Sequence, residues 1–148
     1  INMSVDVIKL DEYLKKWQKI LRLQDWDILY RVIDVEWRKS GDIKIDEDNK
    51  MAVVMINDNA VVSNLEELVI HELLHLKLWG MDQMIEGYVN MVFGLDDKDC
   101  KREFAMDMFF KELESTVEDL TKGYLEANGG EKPCTRRLEK KIKEEIGQ

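Results

Sequence analysis

Apolar residues recur along the chain at intervals that separate helices from strands. Val7, Ile8, Leu10, Leu14, Trp17, Ile20 and Leu21 fall at helical spacing, with Lys15, Lys16 and Lys19 between them. The pattern predicts an amphipathic helix over residues 5–22, packed on a sheet. Trp26 to Trp37 is rich in β-branched and aromatic residues and reads as a strand. Ser40-Gly41-Asp42 reads as a turn and Ile43 to Ile45 as a short strand. Asp46 to Asn49 is a second turn. It has alternating acids but lacks the Gly and the distal Glu of a calcium loop, so it reads as a solvated hairpin tip. Met51 to Asn57 is a clear strand.

The second half of the chain has the period of helices. Ser63, with Glu66 three residues on, has the form of a capping box, and Glu66 and Glu67 suit the positive end of a helix dipole. The helix they open runs through Leu65–Trp79, with Gly80 expected to end it. Residues 81–93 read as a short helix with Met84, Ile85, Tyr88, Val89, Val92 and Phe93 on its apolar side. Gly94 to Asp99 is a linker. A long helix is expected from Cys100 to Leu125, striped by Phe104, Met108, Leu113, Val117, Leu120 and Tyr124. Asn128-Gly129-Gly130 stops it, and Pro133 opens a charged helical segment over Thr135 to Ile146. No repeat breaks the chain. The expectation is one α+β domain over residues 1–148, with 131–148 a charged C-terminal helical extension.

Composition narrows the class. A chain of 148 residues with 45% apolar content can bury a core as a single domain. No apolar run approaches the about 20 residues that span a bilayer, and no secretory leader is recognisable. Ile1-Asn2 ahead of Met3 reads as an addition, with Met3 the natural start. Cys100 and Cys134 do not make a disulfide framework; reduced thiols and a cytoplasmic location are expected. Net charge is -9; residues 131–148 carry +2, so the rest carries -11. Such an acidic body repels phosphate backbones, and neither nucleic acid nor a membrane is expected as a partner.

The chemistry is concentrated at His71-Glu72-Leu73-Leu74-His75, an HExxH pentad. Residues four apart share a helix face, so His71 and His75 can hold one metal ion between them. Glu72 lies about 100° round the helix, within reach of a water on that metal. These are the only 2 histidines in the chain. Bare imidazoles on a buried helix would be costly without polar partners. Two histidines beside a carboxylate base is the ligand logic of a zinc hydrolase, with Zn²⁺ as the expected cofactor.

A catalytic zinc takes three protein ligands and a water, and no third histidine exists. In the long helix Glu114 lies among apolar neighbours, with Glu118 on the same face. One could bind the metal while the other accepts the outer N–H of a ligand histidine. Glu114 is the preferred ligand. Glu86, with Asn90 at the same offset, is the rival, and Asp82, Glu112 and a cysteine remain open.

His71-Glu72-Leu-Leu-His75 followed by Glu114-Ser-Thr-Val-Glu118 resembles the zincin metallopeptidases of gluzincin type, and among them small phage-type and bacterial metallopeptidases. The likeness covers residues from about 26 to 120. It departs at Glu118, where those proteins commonly have Asn or Asp. The resemblance implies a minimal zincin-like fold and a metalloendopeptidase in which Glu72 is the general base. It also implies a peptide or protein substrate paired along the strand at residues 51–57, and an oxyanion donor of tyrosine or histidine type; no histidine is free, and Tyr88 and Tyr124, which could serve, are expected to pack in the core, so the donor stays open. Two alternatives stay open. One is a zinc-binding regulatory or interaction protein without turnover. The other is a metal-dependent ribonuclease of YbeY type, which the run from His71 to Asp82 also resembles. That signature's third histidine is missing here, and Glu72 stands where it usually has Gly.

Overall fold

The computed structural model describes residues 5–59, 64–129 and 136–147. The chain has an α+β fold, a helix leading into a small mixed sheet and then a series of helices. The order is α1 (Val7–Ile20), β1 (Asp27–Ile33), β2 (Gly41–Asp46), β3 (Met51–Asn57), α2 (Leu65–Lys77), α3 (Trp79–Phe93), α4 (Cys100–Ala127) and α5 (Arg136–Ile146).

Asp6 caps α1, its carboxylate accepting from the backbone N–H groups of Ile8 and Lys9. Leu10, Leu14 and Trp17 are its buried face. Trp17 Nε1 donates to the buried carboxylate of Glu66 at 3.0 Å, and Lys16 Nζ reaches the same oxygen at 3.0 Å. That shared acceptor fixes α1 against α2. The helix packs chiefly on α2, and meets the sheet only through the common core of Trp17, Val54, Ile56, Ile70 and Leu73.

The sheet has the order β1-β3-β2. β1 is parallel to β3, pairing Asp27 with Met51 through Ile33 with Asn57. β2 is antiparallel to β3, pairing Gly41 with Ile56 through Asp46 with Met51. The expected long strand to Trp37 stops at Ile33, because residues 34–40 must cross the end of β3 to start β2 on its far side. Asn57 holds that crossing: its amide donates to Trp37 O at 2.8 Å and Lys39 O at 2.7 Å, and its backbone N–H to Ser40 O at 2.9 Å. Gly41 and Asp42 therefore open a strand and do not make a free turn.

Ser63 lies outside the described residues. The cap observed on α2 is Asn64, which accepts from Glu67 N at 3.0 Å. Gly80 does not end this helix. α2 closes at Leu78, which is also the cap residue of α3, and Gly80 falls in the first turn of α3. The bend needs no left-handed residue, since Leu78 makes it at φ -92°, ψ 3°.

α3 and the start of α4 depart from the expected burial. Only Val89 of α3 is buried; Met84, Tyr88 and Val92 face outward. In α4, Phe104, Met108 and Leu120 are exposed, and the buried line runs through Met106, Val117, Thr121 and Leu125. The reason is packing: α4 meets α2 at Glu114 and Glu118, and Arg102 in its first turn bonds Asn90 of α3. No helix among the described residues is long and apolar enough to cross a membrane.

Candidate metal centre

α2 lies between the sheet and α4, so its faces divide the work. His71 and His75 point toward α4. Glu72 points toward β2. The third turn of helix that brings the two histidines into line is stabilised from its far end by Asn64 and by Glu66 and Glu67 in the first turn.

α4 delivers the carboxylates. Glu114 Oε1 is 2.8 Å from His75 Nε2, and Glu114 Oε2 is 3.6 Å from His71 Nε2. One donor atom each from His71, His75 and Glu114 lies within 4.8 Å of the others. Glu118 Oε1 stands 3.1 Å from the other ring nitrogen of His71, Nδ1. The structure thus brings Glu114 to both histidines and sets Glu118 behind one of them.

The rivals are elsewhere. Glu86 accepts from Gln83 at 3.3 Å, and Asn90 accepts from Arg102 at 3.0 Å. Glu112 is exposed on α4. Asp82 reaches the rim of the site without joining the donor group. Cys100 is exposed at the start of α4, and Cys134 lies outside the described residues. Tyr124 packs edge-on against Trp17 at 6.0 Å, and Tyr88 is exposed on α3, so neither tyrosine lines the cleft.

Glu72 is 6% exposed. Its carboxyl is pushed up to about 8, first by burial and then by the negative charges of Asp42 and Glu114, with Lys39 opposing. Burial also holds His71 below the usual imidazole value; His75 adds to this, while Glu118 and Glu114 pull the other way. For Asp42, burial pushes up but hydrogen bonds from Lys44, Lys39 and the Ile43 N–H outweigh it, and the group sits low and ionised.

No family model, curated protein or solved structure matches the chain.

Its site must therefore be read from its own geometry. Three carboxyl groups surround two imidazoles, and among the described residues the cations at the cleft wall, Lys39 and Lys44, are both bonded to Asp42. Such a cluster is short of positive charge, and a cation held by His71, His75 and Glu114 would supply it. The donor set, two imidazole nitrogens and one carboxylate, fits zinc.

The site opens into a cleft of about 350 Å³ between α2 and β2. Its β2 wall is Gly41, Asp42, Ile43 and Ile45, and Trp79 and Asp82 stand at the α3 end. Sequence reasoning missed Lys39, Gly41, Asp42 and Trp79. A Cβ on Gly41 would lie 3.3 Å from Glu72 Oε1 and 3.2 Å from Met55 O, so a glycine leaves room for the carboxyl. No spacing in the sequence announces this contact. The strand at residues 51–57 is not available to a peptide. β3 is the middle strand, hydrogen-bonded on both sides, and among the described residues the edge beside the cleft that has no strand partner belongs to β2.

Proposed function

We propose that the chain is a zinc-dependent metallopeptidase that hydrolyses peptide bonds in an extended substrate. The observation that carries this reading is the convergence of His71, His75 and Glu114 donor atoms beside a buried, unpaired glutamate. A metal-binding protein without turnover has no use for that fourth group. Glu72 accepts no hydrogen bond from any described residue, and its carboxyl lines the cleft although the residue is only 6% exposed.

Zinc, when bound, supplies a Lewis acid that acidifies water and polarises a carbonyl. The rest falls to the protein. His71 and His75 present ring nitrogens on one helix face. Glu118 fixes the ring of His71 by accepting at Nδ1, which leaves Nε2 to face Glu114. Glu72, as carboxylate, takes a proton from the attacking water. The carbonyl carbon gains the oxygen, the C–N bond breaks, and Glu72 returns the proton to the departing amine. A nearby cation favours the ionised form of Glu72, offsetting what burial does to it. The substrate backbone pairs with the free edge of β2, which holds it across the cleft. This replaces β3 as the pairing strand. Cytoplasmic location belongs to the same reading.

The test is a peptide-library digestion by zinc-loaded protein, read by mass spectrometry, beside Glu72→Gln. The amide keeps the shape of the side chain but cannot accept the proton. Cleavage should fall by about 10² or more while zinc content stays at that of the parent. Equal cleavage by the variant would remove Glu72 from the reaction.

A further inference from the structure

One acid of the cleft has no positive partner even when a divalent ion is counted at the candidate centre. Among the described residues the carboxyls of Asp42, Glu72, Asp82 and Glu114 line the cleft, against one lysine, Lys39. Asp42 is held by Lys39 at 3.1 Å and by Lys44 at 3.0 Å. Glu114 meets both histidines, and an ion there offsets its charge and that of Glu72. Asp82 is answered by neither. Its carboxylate accepts from Gln83 Nε2 at 3.1 Å, and the same amide reaches Glu86 Oε2 at 3.3 Å. A neutral amide thus serves two carboxylates that stand one helical turn apart.

The wall around Asp82 suits a long side chain with a charged end. Trp79, Asp82 and Glu86 follow the spacing of one face of α3. All three are half-buried, and Trp79 and Asp82 line the cleft at its α3 end. An acid in the first turn suits the positive end of a helix, which accounts for Asp82 in part. That field fades within a turn and does not account for Glu86. No Lys or Arg occurs between Trp79 and Asp97. Burial raises the Asp82 carboxyl above its usual range; the Gln83 hydrogen bond opposes this, the charge of Glu86 adds to it, and His75 opposes. A cation arriving at this wall would favour the ionised form. Glu72 opens into the same cleft, 6% exposed and without a hydrogen bond from any described residue, so the space beside Asp82 is where a bound molecule is expected.

We propose that Trp79 and Asp82 form a specificity subsite, and that it takes a lysine or arginine side chain from a residue flanking the scissile bond. This assignment rests on the metallopeptidase reading and adds to it the class of peptide. The aliphatic stem lies on the indole of Trp79, and the charged end reaches the Asp82 carboxylate, with Glu86 a turn behind it. With the substrate backbone along β2, this side chain projects across the cleft toward α3.

Two measurements on the zinc-loaded full chain test it. The first needs no turnover. It is calorimetric titration with the Nα-acetyl hydroxamates of lysine and of norleucine, which share a zinc-binding group and a straight stem and differ only in the terminal ammonium. The lysine compound should bind about tenfold or more tighter. Asp82→Asn should bring the two affinities together, and Asp82→Lys should reverse their order. The second is the peptide-library digestion, in which Lys and Arg should be enriched beside the cut bond with the wild type and not with Asp82→Asn. Equal binding of the two hydroxamates by the wild type, or none, overturns the subsite. So does a lysine preference that survives in Asp82→Asn. A preference that depends on Asp82, in a protein that cuts no peptide, keeps the basic subsite and removes the hydrolysis; cleavage with no basic preference does the reverse.

Discussion

Glu72 is held where its charge is least welcome, and that sets a pH dependence with a definite sign. In the metal-free chain its carboxyl rises from 4.5 to about 8, through burial first and then the charges of Asp42 and Glu114. Between those values the folded chain keeps a proton that the unfolded chain has released. The associated stability is complete below about pH 4.5 and is lost as pH rises through about 8. Urea denaturation in the presence of a chelator should show stability falling across that window, by an amount on the order of a few kcal/mol. Glu72→Gln should flatten the slope. The carboxylates on α4 make a separate prediction. Glu114→Ala should weaken zinc binding by several kcal/mol, about the scale of a lost ligand, whereas Glu86→Ala should leave it nearly unchanged. Competitive titration against a chromophoric chelator measures both, and a loss confined to Glu86→Ala would reverse the assignment. At this scale the sequence was informative where residues act through helix period. The placement of His71, Glu72 and His75 follows from a count of 3.6, and Glu114 with Glu118 from the same count on a second helix. Gly41 and Lys39 were illegible because they meet Glu72 through tertiary packing, with 30 or more residues of chain between them.

Among the elements, β2 is the one that the surroundings of Glu72 depend on. Its first residue is a glycine pressed between Met55 O and the glutamate. The backbone oxygen cannot retreat without breaking the pairing of β2 with β3, so Gly41→Ala should displace the carboxyl and cost about 1 kcal/mol. Thermal denaturation reads the cost, and a shift in the pH profile of stability reads the displacement. Asn64→Ala acts on α2 by a different route. It leaves the Glu67 N–H without its cap and should cost about 1 kcal/mol, measured by the same denaturation. The helices were legible because their apolar positions repeat over several turns, and the start of α4 at Cys100 follows from Asp99 as its cap. Sheet order was not. Met51-Ala52-Val53-Val54-Met55-Ile56 is an unbroken apolar run, the composition of a strand flanked on both sides, but composition does not say which strands flank it. The outward face of α3 was hidden for a related reason, since periodicity reports that a stripe exists and not which way it turns.

In the molecule as a whole the candidate metal centre joins α2 of the sheet layer to α4, which otherwise meets it through side-chain packing. A bound zinc is therefore expected to act on global stability. At a free concentration a hundredfold above its dissociation constant it should add about 2.7 kcal/mol, and for a chain of this size raise the melting temperature by roughly 5–10 °C. Calorimetry of the wild type with and without zinc measures the shift, and His75→Ala should abolish it. The same shift in the variant would place the stabilising ion elsewhere.

Leu78 has a mechanical meaning. It closes the last turn of α2 and opens the first turn of α3, taking the N–H of Asp82 on its carbonyl while giving its own to Leu74. No loop residue separates the helix that carries His75 from α3, so the backbone angles of one leucine set the direction in which α3 leaves the site, three residues past the histidine that stands 2.8 Å from Glu114.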